Sequence, residues 1–125
     1  MSVADPGDRF HVEARKLAVD STLELAALDL TLYEAANAVG VRMGRTRRAQ
    51  RLVQLVVARC GDRLARVGPD LLADATEIAA EHRLSAYDTA YVAAARHNGW
   101  QLVSIDIRDL VSKGLAVTPD AALYP

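Results

Sequence analysis

A parallel α/β sheet with helices on both faces is the fold class this sequence predicts. Three observations predict it. Short apolar runs flanked by turn residues alternate with longer stretches whose apolar residues recur at helical spacing, an order that implies parallel strands joined by helical crossovers. The chain has 125 residues, 51% apolar and 25% charged, enough for a packed core under a hydrated surface. No repeat, linker or low-complexity segment interrupts it, so residues 1–125 read as a single domain.

The elements follow in order. Asp5-Pro6-Gly7-Asp8 reads as a turn, with Asp8 capping a helix from about Arg9 to Val19 that carries Phe10, Ala14, Leu17 and Ala18 on one face. Asp20-Ser21-Thr22 breaks that helix, and Leu23–Leu28 is a short apolar run expected to be a buried strand. Thr31 opens a helix through about Arg42, its end loosened by Gly40 and Gly44. Thr46 is the expected cap of the next helix, which reaches Cys60 with Leu52, Val53, Leu55, Val56 and Val57 as its apolar stripe. After the Gly61-Asp62 turn, Arg63–Val67 alternates as a strand does. Gly68-Pro69 begins a helix to about His82, since proline is tolerated in a first turn. Ser85 caps the following helix and Asn98-Gly99 ends it. Gln101–Ile105 is the best strand, Asp109–Lys113 a helical turn, Leu115–Val117 a last strand, and the tail after Pro119 a loop. One feature departs from the class: the chain opens on a turn and a helix, where a parallel α/β domain usually opens on a central strand.

Composition excludes several functions. Fifteen basic residues against sixteen acidic give a net charge of −1, so no global basic field draws the chain to nucleic acid. No apolar run of about 18 residues exists to span a membrane. The start has no basic-then-apolar leader, so a cytoplasmic location is expected. Cys60 is the one cysteine, which excludes an internal disulfide and a Cys-based zinc site, and its apolar surroundings read as those of an inert buried thiol. His11, His82 and His97 stand on separate elements without metal-ligand spacing. No phosphate-binding glycine loop or serine-nucleophile motif is present.

Three acids stand out by position. Glu34 lies in LDLTLYEAANAV and Asp88 in LSAYDTAYVAAA, each expected in the first turn of a helix, while Asp106 follows the strand QLVSI. In parallel α/β sheets, sites form beyond the carboxyl ends of strands, where all three could converge. Clustered carboxylates require a cation, and oxygen ligands of this kind select Mg²⁺ or Mn²⁺, which activate water for phosphodiester cleavage. The plainer reading is capping. Thr31-x-x-Glu34 has the form of a capping box, Ser85-x-x-Asp88 is its aspartate version, and Asp106 could begin the next turn.

The segments HVEARKL, LTLYEAANAV and LSAYDTAYVAAARHNGWQLVSIDIRDL resemble the PIN-domain toxins of VapBC toxin–antitoxin pairs, in the right order and over nearly the whole chain. The YD-x-x-Y helix followed by a glycine and a strand ending in S/T-x-D carries most of the resemblance. It implies a PIN-like parallel α/β domain and an endoribonuclease dependent on Mg²⁺ or Mn²⁺. It further implies a VapB-type antitoxin as partner and a homodimer. By position, Glu34 matches the family's helix-borne glutamate, Asp88 its metal-binding aspartate, and Asp106 the acid after the late strand. Ser104 matches the hydroxyl residue that supports Asp106, and Asn37 the asparagine that orients a carboxylate or water. The family's first strand, with its first catalytic aspartate, is missing or degenerate here. Asp5 does not replace that aspartate, because it sits in a Pro-Gly turn where the family has a later loop. Either the native chain extends upstream of Met1, which the intact surroundings of the other acids favour, or this is a decayed member with exposed sheet edges.

Arg42, Arg45, Arg47, Arg48 and Arg51 lie within ten residues. Phosphate contact with RNA is one reading, an antitoxin's acidic tail another, and a solvated helix face the plainest. No aromatic residue interleaves with them, so base stacking is not expected there. Tyr87 and Tyr91 share a helix face and are expected in core or dimer packing. The sequence therefore points first to a metal-dependent RNase toxin. The alternatives are an inactive PIN module that binds antitoxin or dimerises without cleaving RNA, and a fragment that does not fold alone.

Overall fold

The computed structural model describes residues 11–20 and 22–124. The Asp8 cap, the turn before it and Phe10 lie outside those residues. The chain divides into two compact units, the first ending at Arg66 and the second beginning at Val67.

In the first unit, helix α1 (His11–Val19) ends where the Asp20 carboxylate accepts from the backbone N–H (2.9 Å) and hydroxyl (2.6 Å) of Thr22. Strand β1 (Ala27–Leu28) leads directly into helix α2 (Asp29–Ala35). Thr31 does not open that helix as expected. Its hydroxyl accepts the N–H of Leu28 (3.2 Å), which makes Thr31 the third helical residue and starts the helix at Asp29. At Ala36 the α-helix widens into a π-helical segment that runs to Arg42. Helix α3 (Thr46–Cys60) follows, with Arg45 rather than Thr46 at its cap position and Gly61 beyond its end.

Strand β2 (Leu64–Ala65) pairs in parallel with β1, Ala27 opposite Leu64 and Leu28 opposite Ala65. This is the parallel α/β pairing the sequence predicts, but each strand is two residues long, against the six expected in Leu23–Leu28 and the five in Arg63–Val67. Two arginines brace the unit. Arg59 donates through Nε to the Ala18 carbonyl and through Nη2 to that of Asp20, both at 2.9 Å, and Arg63 Nε donates to the Leu25 carbonyl at 3.0 Å. The core holds Leu28, Ala35, Val39, Ala49 and Cys60. Gly40 lets α3 come close: a Cβ there would lie 3.2 Å from the Ala49 Cβ.

In the second unit, α4 (Pro69–His82) and α5 (Ala86–Asn98) pack as an antiparallel pair with the expected punctuation: Pro69 in a first turn, Ser85 at a cap, Gly99 at φ +67° past an end. The pair buries Leu71, Ala75 and Ile78 of α4 and Ala90, Val92, Ala93 and Ala94 of α5. The buried Thr89 hydroxyl donates to the Ala75 carbonyl (2.7 Å), with the Ser85 carbonyl also near at 3.1 Å. The strand expected over Gln101–Ile105 shrinks to one parallel bridge, Val103 to Val117, which takes in the end of the expected strand Leu115–Val117. Val103 and Ile105 each remain 37% exposed, and parallel strands extend only where both faces are covered. A second π-helical segment spans Ile107–Val111. The tail is not a loop: Thr118 caps a short helix, α6 (Pro119–Leu123). Among the described residues no helix is long and apolar enough to cross a membrane.

Thr89→Val keeps the shape of a buried side chain and removes its hydroxyl. The expected loss is about 1–2 kcal/mol of stability, read by urea denaturation with an unchanged helical spectrum. An unshifted midpoint would show that the bond to Ala75 contributes nothing.

Candidate metal-binding acids

Asp88 sits at the third position of α5, half-buried, one residue before Thr89. The Ser85 hydroxyl accepts the Asp88 N–H at 3.2 Å, which is one half of a capping box. The other half would have the Asp88 carboxylate accept the Ser85 N–H. Among the described residues that carboxylate accepts no hydrogen bond. Aspartate is one methylene shorter than the glutamate that closes such boxes. Capping therefore explains Ser85, while the Asp88 carboxylate complements the helix dipole in the first turn and stays open to a further partner.

Asp106 does cap. Its Oδ1 accepts the Asp109 N–H (2.9 Å) at the entry to the second π-helical segment. The Asp106 N–H in turn donates to Ser104 Oγ at 3.0 Å. Asp109, expected only to begin a helical turn, is a further acid one turn from Asp106. Arg108 donates to both its oxygens at 3.1 Å and holds its carboxyl below the usual carboxylate range. The spacing Asp106-x-x-Asp109 repeats Ser85-x-x-Asp88 and was the signal available for it.

Glu34 is the sixth residue of α2, not in its first turn. It is exposed, as is Asn37 one turn later, and the two flank the point where the α-helix widens. A capping box with Thr31 is ruled out by position, since Thr31 already lies inside the helix. Asp106 immediately precedes one π-helical segment and Glu34 lies two residues before the other, a backbone form that is rare and enriched at functional sites.

Glu34 belongs to the first unit, Asp88 and Asp106 to the second. Among the described residues no three His, Cys, Asp or Glu side chains gather into a group that could hold a metal ion. The carboxylate donors themselves are the kind a hard divalent cation takes. Of the other expected groups, Arg42, Arg45, Arg47 and Arg48 are exposed. Tyr87 is 70% exposed and does not enter the core of its unit, and Tyr33, beside Glu34, is 72% exposed. An exposed tyrosine precedes each helical acid, and Tyr33-Glu34 and Tyr87-Asp88 are visible in the sequence as a repeated pair. Cys60 is buried, and burial pushes its thiol up, as expected of an inert cysteine. His97 binds Asp74 across α4 and α5 (2.5 Å).

A protein-family model described as PIN domain matches residues 3–112. No curated protein and no solved structure gives a significant match.

Capping and charge at Asp106 can be separated. Asp106→Asn keeps an oxygen for the Asp109 N–H and is expected to leave stability within about 0.5 kcal/mol, whereas Asp106→Ala loses about 1 kcal/mol. Equal denaturation midpoints for the two variants would remove the capping role.

Proposed function

Because this chain belongs to the PIN-domain family, a nuclease fold whose members generally depend on divalent metal ions, we propose that it is a Mg²⁺- or Mn²⁺-dependent endoribonuclease acting as the toxin of a VapBC-type pair. The observation that carries this reading is the Asp88 carboxylate, half-buried at the start of α5 and without a hydrogen bond among the described residues. A carboxylate in that state is available to a cation.

Glu34, Asp88 and Asp106 would hold the ion. When bound, the ion offsets the mutual repulsion of these carboxylates, stabilises charge developing on a phosphodiester and makes water more acidic. The chain's own contribution is position. Ser104 fixes the Asp106 backbone, and Asp106 spends one oxygen on the Asp109 N–H while its other accepts no hydrogen bond among the described residues. Thr89 ties the first turn of α5 to α4 and so fixes the residue before it. Asn37 would orient a carboxylate or a water beside Glu34. A cytoplasmic location, a homodimer and a VapB-type antitoxin as inhibitor belong to the same proposal.

A second reading is an inactive PIN module that binds antitoxin without cleaving RNA. It draws support from the absence, among the described residues, of a gathered metal-holding group.

The test is cleavage of RNA by the purified chain with Mn²⁺ or Mg²⁺ and with EDTA, beside Asp88→Asn. The expected result is metal-dependent cleavage that falls at least about 100-fold in the variant, since loss of groups that merely support ligands already costs 10–100-fold. Cleavage that survives EDTA or the substitution would refute the metal mechanism. A folded wild-type chain that cleaves nothing, yet co-purifies with its antitoxin, would establish the second reading.

A further inference from the structure

Between Glu34 and Asp62 the sequence contains six arginines and no acidic residue, in a chain whose net charge is only −1. One of the six, Arg59, is used by the fold, its guanidinium donating to the carbonyls of Ala18 and Asp20. The other five, Arg42, Arg45, Arg47, Arg48 and Arg51, are all exposed. Among the described residues none of their side chains makes a hydrogen bond or an ion pair.

This arrangement works against the helix that carries it. Arg47 and Arg51 are four residues apart on α3, and Arg48 and Arg51 three apart. Like charges at those spacings repel. Arg47 and Arg48 also occupy the first turn, where the helix's own dipole disfavours cations, and no acid stands there to compensate. The other helices of the chain show the opposite habit. The first turns of α4, α5 and α6 hold Asp70, Asp88 and Asp120. An ordinary solvated face would mix signs. A face of one sign, unpaired and placed where it weakens its own helix, is stabilised by an external polyanion.

We propose that Arg42, Arg45, Arg47, Arg48 and Arg51 form a phosphate-binding surface for the backbone of single-stranded RNA. The choice of RNA over an acidic polypeptide rests on the nuclease reading above. The guanidinium fork suits phosphate oxygens. No aromatic residue lies between Arg42 and Arg51, so the surface holds the backbone and does not stack bases. It therefore contributes affinity, not sequence choice.

The test measures binding of a short labelled single-stranded RNA to the full chain by fluorescence anisotropy, in EDTA and across a salt series. EDTA separates binding from metal-dependent cleavage. Each phosphate neutralised on a single strand adds about 0.7 to the slope of log affinity against log salt. The combined variant Arg47→Gln, Arg48→Gln, Arg51→Gln is expected to lower that slope by about 2 and to weaken binding at least about tenfold near physiological salt. The matching lysine variant keeps the slope, because an ammonium also neutralises phosphate. Arg96→Gln, an exposed arginine at the end of α5, leaves it unchanged. The glutamine variant should also unfold at the same or a higher temperature than wild type, since it removes repulsion within α3. Wild type that fails to bind RNA, or binding and slope untouched by the glutamine variant, would overturn the proposal. So would capture of poly-glutamate by a chain that ignores RNA. Binding through these arginines with no cleavage in Mn²⁺ would leave this surface standing while the nuclease reading fell. Cleavage in Mn²⁺ with binding unaffected by the variant would do the reverse.

Discussion

Close approach of helices through small residues is the constraint on which both units depend. Two-residue parallel strands contribute few hydrogen bonds and bury little, so the first unit is not held by its sheet, and among the described residues the second has a single parallel bridge. In the first unit, α3 lies against the π-helical segment because Gly40 has no Cβ to meet that of Ala49. In the second, four alanines (Ala75, Ala90, Ala93 and Ala94) are buried beside Leu71, Ile78 and Val92 on α4 and α5, and the Thr89 hydroxyl reaches across to a carbonyl of the neighbouring helix. Packing at that distance leaves no room for adjustment, so overpacking is as costly as a cavity. Rigid helices are also what a set of positioned acids requires, because side chains on well-packed helices hold their geometry better than those on loops.

The three acids relate to this framework in different ways. Asp88 follows a capping serine and precedes the buried threonine that pins α5, so its backbone is fixed from both sides while its carboxylate is not consumed. Asp106 is held through its N–H by Ser104 and gives one oxygen to a cap. Glu34 stands at the end of regular α-helix, just before the turn widens. A wider helix rotates the residues beyond it relative to an ideal α-helix, which changes where Asn37 points compared with a regular continuation.

Much of the second unit was legible in the sequence. Pro69, Ser85 and Asn98-Gly99 mark helix ends through local chemistry that needs no tertiary information, and the helices begin and end there. The strands were less legible. Leu23–Leu28 and Gln101–Ile105 have strand composition, but strand length is set by neighbours that cover edges and faces, and composition cannot supply those. Thr31 and Thr46 illustrate a second limit. A threonine can cap from outside a helix or accept from just inside it, and Thr31 takes the inside position because β1 runs straight into α2. The π-helical segments had no sequence signal. Glu34, Asp88 and Asp106 were legible as candidates from spacing and from the family resemblance, while the hydrogen bonds around Asp88 and Asp106 became visible only in the structure.

The arginine-rich start of α3 and the acids of α2 and α5 are opposite electrostatic exceptions in a nearly neutral chain. The arginines concentrate charge at a cost to their helix, while Asp88 sits in a first turn that favours an acid; the proposed partners are a phosphate backbone for the arginines and a divalent cation for the acids. The cation is the central claim, and it is tested most directly without any substrate. Mn²⁺ added in small amounts to the ¹⁵N-labelled full chain broadens the amide signals nearest to it. The account predicts that Glu34, Asp88 and Asp106 and their immediate neighbours broaden first. Broadening centred elsewhere, such as on Asp70, Asp74 and Glu77 of α4, or none at all, would contradict it.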